Sequence, residues 1–394
     1  MQNALLLVDH PYVSEFLRST IIDHQLPLVL TQAAQELGFE TSSSTLDEPQ
    51  AIDLAQTSED LRIYTSSENA ISWIAEHLNE IELPELVDTF KNKAKFRQAT
   101  APLYPDFFSK ELELDELDLL DVSELPSPFI IKPTVGFFSV GVYKVNTPED
   151  WSDVKHAIKN EITSARGMYP EQVLGTTSFL IEQCIEGEEF ALDAFYDSDG
   201  QPVILSIWKR RFASDTDTGD RLYTSSKQII LKHLKAFTEC LLEVGKLTNA
   251  RNIPIHVELR QDEAGRILPI EFNPLRFGGW CTTADITHYA YQFNPYLYYF
   301  NHQQPDWDVI LDGKDDVSYH LVVLDNTTGV DKSKVKSFDY DGLVKKFTNP
   351  LEVRPIDFNS YDAFGFVFIE TSSNETQELE YILNSDLTNY ITTQ

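Results

Sequence analysis

Cysteine is scarce in this chain: three among 394 residues, Cys184, Cys240 and Cys281, far apart and without a CxxC or Cys/His spacing. That argues against a disulfide frame or a structural zinc, and all three are expected as small buried hydrophobes. Basic side chains are also few, 31 against 63 acidic ones, for a formal charge of -32. Such a surface repels nucleic acid and anionic membranes, so neither is expected as a partner. Any site for a phosphorylated ligand must gather its few cations locally and carry a divalent metal. No apolar run reaches the about 18 residues that a membrane-spanning helix needs. The opening MQNALLLVDH has no basic flank before its apolar run and an aspartate after it. It reads as a first strand rather than a signal peptide, which points to the cytoplasm. A GxGxxG dinucleotide fingerprint is missing after that strand.

What is present suits a globular chain of two or three domains: 42% apolar and 24% charged residues over a length well beyond one minimal core. Residues 4–8 and 61–64 read as strands and 29–37 and 68–78 as helices, the alternation of a small parallel α/β unit. A helical segment at 91–100 leads into an acidic, leucine-rich run at 111–120 that reads as a solvated helix face. Strands are expected at 129–131, 140–145, 178–183, 190–196 and 203–208. Thr147-Pro148-Glu149-Asp150 is a helix start, with a capping hydroxyl, a first-turn proline and acids at the positive helix end. The polar stretch 163–177 reads as a surface loop. A long helix at 226–248 precedes strands at 255–260 and 267–272 around a turn at 262–265. The tail beyond 317 carries strands at 320–324 and 364–369 and a final acidic helix.

Three constellations carry chemistry. In PFIIKPTVGFFSVGVYKV, Lys132 ends an apolar strand before a loop holding Gly136, Ser139 and Gly141, whose backbone N–H groups suit phosphate oxygens. A strand-end lysine is ordinarily a solvated residue, and it gains meaning from two segments further along the chain. In SFLIEQCIEGEEFALDAFY, Glu182, the hinge Gln183, Cys184 and Ile185, and Glu189 offer an acceptor for a purine amino group, backbone groups for its edge and an acceptor for ribose hydroxyls; the bland reading is an acidic surface hairpin. In the third, His256 and Glu258 share one strand face, and Glu271 and Asn273 share one face of the next. A register setting His256 opposite Glu271 makes Glu258 and Glu271 diagonal neighbours, roughly 7 Å apart. Two carboxylates and an amide oxygen suit Mg²⁺; exposed hairpin acids or a glycosidase pair are the competing readings.

In this order and spacing, the segments from about residue 91 to 300 resemble the ATP-grasp superfamily, whose members clamp ATP between two α+β lobes and couple a carboxylate to an amine or similar nucleophile. The resemblance implies an N-terminal α/β domain at 1–90, a two-lobed ATP-grasp domain at 91–310 with its small lobe at about 105–195, and an α+β accessory segment at 311–394. It implies ATP and Mg²⁺ (or Mn²⁺) as cofactors and a small carboxylic acid and an amine, amino acids among the candidates, as substrates. A homodimer is compatible with it. Lys93 and Lys95 both fit the first phosphate lysine, and Lys95 is the one assigned; Lys132 matches the second. Glu182 matches the adenine-side glutamate, with base contacts at Gln183, Cys184 and Ile185, and Ser139 lies in the phosphate loop. Glu189 matches the ribose glutamate, Glu258, Glu271 and Asn273 the metal ligands, and Arg276 the arginine that meets the acyl phosphate or substrate. The chain departs from the family pattern at Phe138, where a glycine is usual, and at Arg276, displaced one residue by Leu275. An acyl-phosphate-using carboxylase and a nucleotide binder without turnover are the alternatives. Lys209, Arg210 and Arg211 form a further basic cluster, and Gly278-Gly279-Trp280 and residues 288–300 are aromatic-rich segments suited to an acceptor pocket or to core.

Overall fold

The structure is a computed structural model that describes residues 3–39, 44–135, 141–165, 178–214, 219–372 and 376–393. Its first sheet is parallel, in the order β3-β2-β1-β4, from β1 (Ala4–Leu7), β2 (Leu28–Val29), β3 (Thr45–Leu46) and β4 (Arg62–Thr65). Every residue of β1 is buried, as a central parallel strand covered on both faces requires. Ser14 caps the helix Glu15–Asp23, and an Asp47/Gln50 capping box starts the helix Glu48–Thr57.

The second sheet is antiparallel, in the order β5-β8-β6-β7, from β5 (Ser109–Glu113), β6 (Phe129–Pro133), β7 (Tyr143–Val145) and β8 (Ser178–Gln183). The acidic run expected as a helix face is instead edge strand β5 followed by the 3₁₀ turn Leu114–Asp118. Leu112 alone of β5 is buried and its charged neighbours face water, a pattern that protects an edge. The helix Trp151–Ala165 follows a Thr147/Asp150 capping box where the sequence places a helix start. Gly136, Phe138, Ser139 and most of the expected loop at 163–177 lie outside the described residues.

The third sheet has eight strands. In chain order the remaining strands are β9 (Glu188–Tyr196), β10 (Pro202–Arg211), β11 (Leu222–Ser226), β12 (Ile253–Gln261), β13 (Ile267–Pro274), β14 (Val317–Asp325), β15 (Val335–Phe338), β16 (Asn349–Pro355), β17 (Ala363–Ser372) and β18 (Ile391–Thr393). The large sheet runs β13-β12-β9-β10-β11-β14-β17-β16, and β15 pairs with β18. Residues beyond 311 therefore extend the same sheet that carries the carboxylates, while the small sheet ends at Gln183 and β9 belongs to the large one. The helix Lys227–Thr248, capped by Ser226, lays Ile230, Phe237, Leu241 and Val244 on this sheet. Among the described residues, no helix is long and apolar enough to cross a membrane.

Candidate functional site

One face of the large sheet sets out the site as a line. On β9 and β12, Glu189 pairs with Arg260, Ala191 with Glu258, and Asp193 with His256. On β13, Glu271 lies directly opposite Glu258 and Asn273 opposite His256. This corrects the expected register: the two glutamates are direct neighbours, not diagonal ones. The cause is a bulge, because the ladder runs from Glu258/Glu271 to Leu259/Pro269 and leaves Ile270 as an extra residue. Pro269 has no N–H to keep a regular ladder.

Two half-buried carboxylates facing each other repel. Burial and the charge of Glu271 push the Glu258 carboxyl up to about 7. Burial also acts against an ionised Glu271, but the Lys93 ammonium, whose Nζ donates to Glu271 Oε1 at 2.9 Å, holds it below the usual range. Among the described residues no group of three His, Cys, Asp or Glu forms a ready metal cage. Two carboxylates and the Asn273 amide are instead an open, hard-oxygen set of excess negative charge, which fits Mg²⁺ or Mn²⁺ completed by phosphate oxygens and water.

Of the two candidate lysines, Lys93 is the one that reaches the carboxylate pair. Asn92 caps the helix Lys93–Thr100, accepting from the N–H groups of Ala94 and Lys95, and the Lys93 N–H donates to the Thr134 carbonyl at 2.7 Å, tying this helix to the end of β6. Two residues on a helix are about 200° apart, so only one of the two lysines can face the site. Lys95 points to solvent and pairs with Asp88. Residues 93, 96, 97 and 100 share the inner stripe, a signal readable in the sequence from Phe96 and the helix period.

On the small sheet Lys132 is buried against Glu182. Burial pushes its ammonium below the ordinary lysine value despite that carboxylate. Arg97, which sequence reasoning missed, donates from Nε to Glu182 Oε2 at 2.7 Å and from a terminal nitrogen to the Pro269 carbonyl at 2.7 Å, spanning both sheets. Burial alone would raise the Glu182 carboxyl, yet Lys132 and Arg97 together hold it low. The adenine-side glutamate of the sequence reading is thus held by two cations.

In the hinge, Gln183 exchanges bonds with the Phe108 backbone, the Cys184 N–H reaches the Pro128 carbonyl at 3.4 Å, and the Ile185 carbonyl accepts from Arg260 at 2.6 Å. Gly187 turns the chain with φ +110°, and a Cβ there would come within 2.2 Å of the Gln261 carbonyl oxygen. Glu189 is buried between Arg210 at 2.5 Å and Arg260 at 2.8 Å. Beside it opens a cleft of about 900 Å³ lined by Glu189, Lys209, Arg210, Arg211, Lys232 and His233. The basic cluster thus faces this cleft, and His233, bound to Gln261 at 2.8 Å, is a second residue the sequence reading missed. Of the cysteines, only Cys281 is fully buried; Cys184 and Cys240 are half-buried, short of the expected burial.

At the opposite end of the line is the loop after β13. Arg276 donates to Glu68 Oε1 at 2.5 Å and to the Phe277 carbonyl, and lies close enough to Glu271 to feel its charge. Although burial works against it, Glu68 is held down to about 2 by Arg276 and Lys91. Leu275, the inserted residue, sits at φ 68° and its carbonyl accepts from the Thr65 N–H at 2.7 Å, which docks the loop on β4. Asp193 Oδ1 accepts from His256 Nδ1 at 2.8 Å and from the Gly278 N–H at 3.0 Å. Glu68 and Asp193 were also missed, since each acts through a partner distant in sequence.

Residues 125–284 match the family model of the ATP-grasp domain. No curated protein matches the chain in sequence. Among solved structures, an L-amino acid ligase from Bacillus licheniformis is similar over 100% of this chain and 98% of its own, with a TM-score of 0.69 and 17% identity. A biotin carboxylase from Campylobacter jejuni, in a beta-gamma-ATP complex, is similar over 96% and 89%, with a TM-score of 0.61 and 13% identity. A phosphoribosylglycinamide synthetase from Anaerococcus prevotii is similar over 100% and 99%, with a TM-score of 0.57 and 13% identity. At these identities the likeness is one of fold. The family match thus assigns an ATP-grasp domain to residues 125–284, and over the rest of the chain the likeness is one of fold alone.

Proposed function

We propose that this protein is an ATP-dependent ligase that activates a substrate carboxylate as an acyl phosphate and couples it to an amine, with ADP and phosphate as the other products. The observation that carries the reading is the directly opposed pair Glu258 and Glu271 beside Asn273, with Lys93 on one carboxylate and Lys132 on the facing sheet. A nucleotide binder without turnover has no need of both carboxylates. In the reaction, the substrate carboxylate oxygen attacks the γ-phosphorus and the bond to ADP breaks; the amine then attacks the acyl carbon, losing a proton as phosphate leaves. Such transfers ask the protein for positioning and charge neutralisation.

The division into residues 1–90, 91–310 and 311–394 is part of this proposal, as is work in the cytoplasm. Lys93, in place of Lys95, and Lys132 neutralise the transferring phosphoryl group. Mg²⁺ held by Glu258, Glu271 and Asn273 supplies further charge neutralisation there. Gln183, Cys184 and Ile185 border the base, Glu182 orients Lys132 toward the phosphates, and Glu189 with His233 faces the ribose. Ser139 belongs to the loop over the phosphates. Arg276 stabilises the oxyanion formed when the amine adds. Amino acids are the first substrates to try, since a protein similar across the full length is an L-amino acid ligase.

The test is ADP and phosphate release from Mg-ATP with amino acids singly and in pairs, wild type against Glu271→Ala. Turnover that requires a particular pair and disappears in the variant supports the ligase. Release that requires bicarbonate points to a carboxylase, and tight ATP binding without release to a non-catalytic binder.

A further inference from the structure

The chain beyond residue 311 reaches the loop after β13 chiefly through one polar side chain. Arg354, on β16, is 4% exposed. One terminal nitrogen donates to the Trp280 carbonyl at 2.9 Å and the other to Asp285 Oδ2 at 2.7 Å and to Glu352. Its guanidinium lies 5.3 Å from the Tyr12 ring and 5.0 Å from that of Phe368. Asp285 is fully buried and also accepts from the Tyr296 hydroxyl at 2.8 Å.

The loop that Arg354 grips is strained. Trp280 and Cys281 are consecutive non-glycine residues, both at φ 57°. Each such residue costs on the order of 1–3 kcal/mol and persists only where its surroundings fix it. Gly278 is fixed by Asp193 and by Thr283 Oγ1 at 2.8 Å, leaving no room for a Cβ, which would stand 2.2 Å from that hydroxyl. Trp280 is fixed through its carbonyl by Arg354, and its indole meets Tyr361 edge-on at 4.8 Å and Tyr12 at 5.9 Å. A buried Arg–Asp pair is a weak source of net stability, and its better-attested use is to enforce one arrangement. The loop leaves β13 at Asn273 and carries Arg276. It lies at the far end of the sheet face from the Glu189 cleft, about 13 Å along β9 by strand rise.

We infer that Arg354 is a positioning residue for the amine half of the site: by holding the Trp280 carbonyl it sets the loop that carries Arg276, and the chain beyond 311 is thereby part of acceptor binding. The inference rests on the ligase reading above. The full chain is tested with the acid and amine pair found on the wild type. Arg354→Met is expected to lower kcat/KM for the amine about tenfold or more, while the KM for ATP stays within about threefold. Arg354→Lys keeps the charge but only a point donor in place of a fork, and is expected to fall between the methionine variant and the wild type. If the methionine variant does not fold, Arg354→Lys and Tyr361→Ala carry the test, each lowering kcat/KM for the amine about threefold with unchanged calorimetric ATP affinity. An unchanged kcat/KM for the amine, or equal losses in it and in ATP affinity, overturns the inference while the ligase stands. A wild type that turns over no pair overturns the ligase reading itself, and this inference with it.

Discussion

The two sheets meet at the site with opposite electrostatics. On the small sheet Glu182 has two cations, Lys132 and Arg97, and all three side chains are buried. On the large sheet Glu258 faces Glu271, and Lys93 sits on Glu271. The first set is closed: its one carboxylate is held between two cations by hydrogen bonds. The second is open, and a cation gains most there because repulsion is already present. A closed ionic set mainly holds two elements in register, whereas an open one of the same residue types is a place for a ligand.

The comparison is sharpest where a variant touches one set alone. Glu271→Ala is expected to lower ADP release about 10³-fold, on the order of 4 kcal/mol of transition-state stabilisation. Its thermal unfolding without metal is expected close to that of the wild type, since the repulsion from Glu258 and the pair with Lys93 are removed together; a collapse in melting temperature would place this pair with the closed set. Glu182→Gln leaves two buried cations without their counter-charge and is expected to cost about 3 kcal/mol in denaturant unfolding. The folded Glu182 carboxyl titrates below its ordinary range, so its contribution is full above about pH 4.5 and is lost as the pH falls through the folded value. The variant should therefore lose part of the acid dependence of unfolding that the wild type shows. Lys93→Met is expected to reduce kcat/KM about 30-fold, near 2 kcal/mol. Lys95→Met is the smallest, within about twofold in the same assay; a larger effect would return the first phosphate lysine to Lys95.

The open set was legible in the sequence and the closed set only in half. Glu258, Glu271 and Asn273 are marked by alternation on two strands around a turn, a local pattern. Lys132 and Glu182 are marked as well, but Arg97 joins them only when helix, hinge and bulge meet. The exact pairing of the glutamates depended on Ile270, which no alternation reveals; Pro269 was the visible hint. The run at 111–120 misled because its acids repeat often enough to suit a helix, while the single buried Leu112 of β5 chooses a strand at its start. The cap at Thr147 was read because its signals lie within four residues. Glu68 with Arg276, and Asp285 with Arg354, carry no local mark, being joined across 208 and 69 residues.

The strand order of the large sheet also bears on how the protein is made. Strands β9 to β13 are complete once residue 274 has emerged, and they form a sheet that ends at β11. The partner of that edge, β14, is synthesised roughly ninety residues after β11, a delay of about 5–20 seconds on a ribosome. Throughout that interval Leu222–Ser226 presents a row of unpaired backbone groups, the kind of edge to which a neighbouring nascent chain adds a strand. Crowded synthesis at high expression is thus the condition under which this fold is most exposed to misassembly, whatever the stability of the finished molecule.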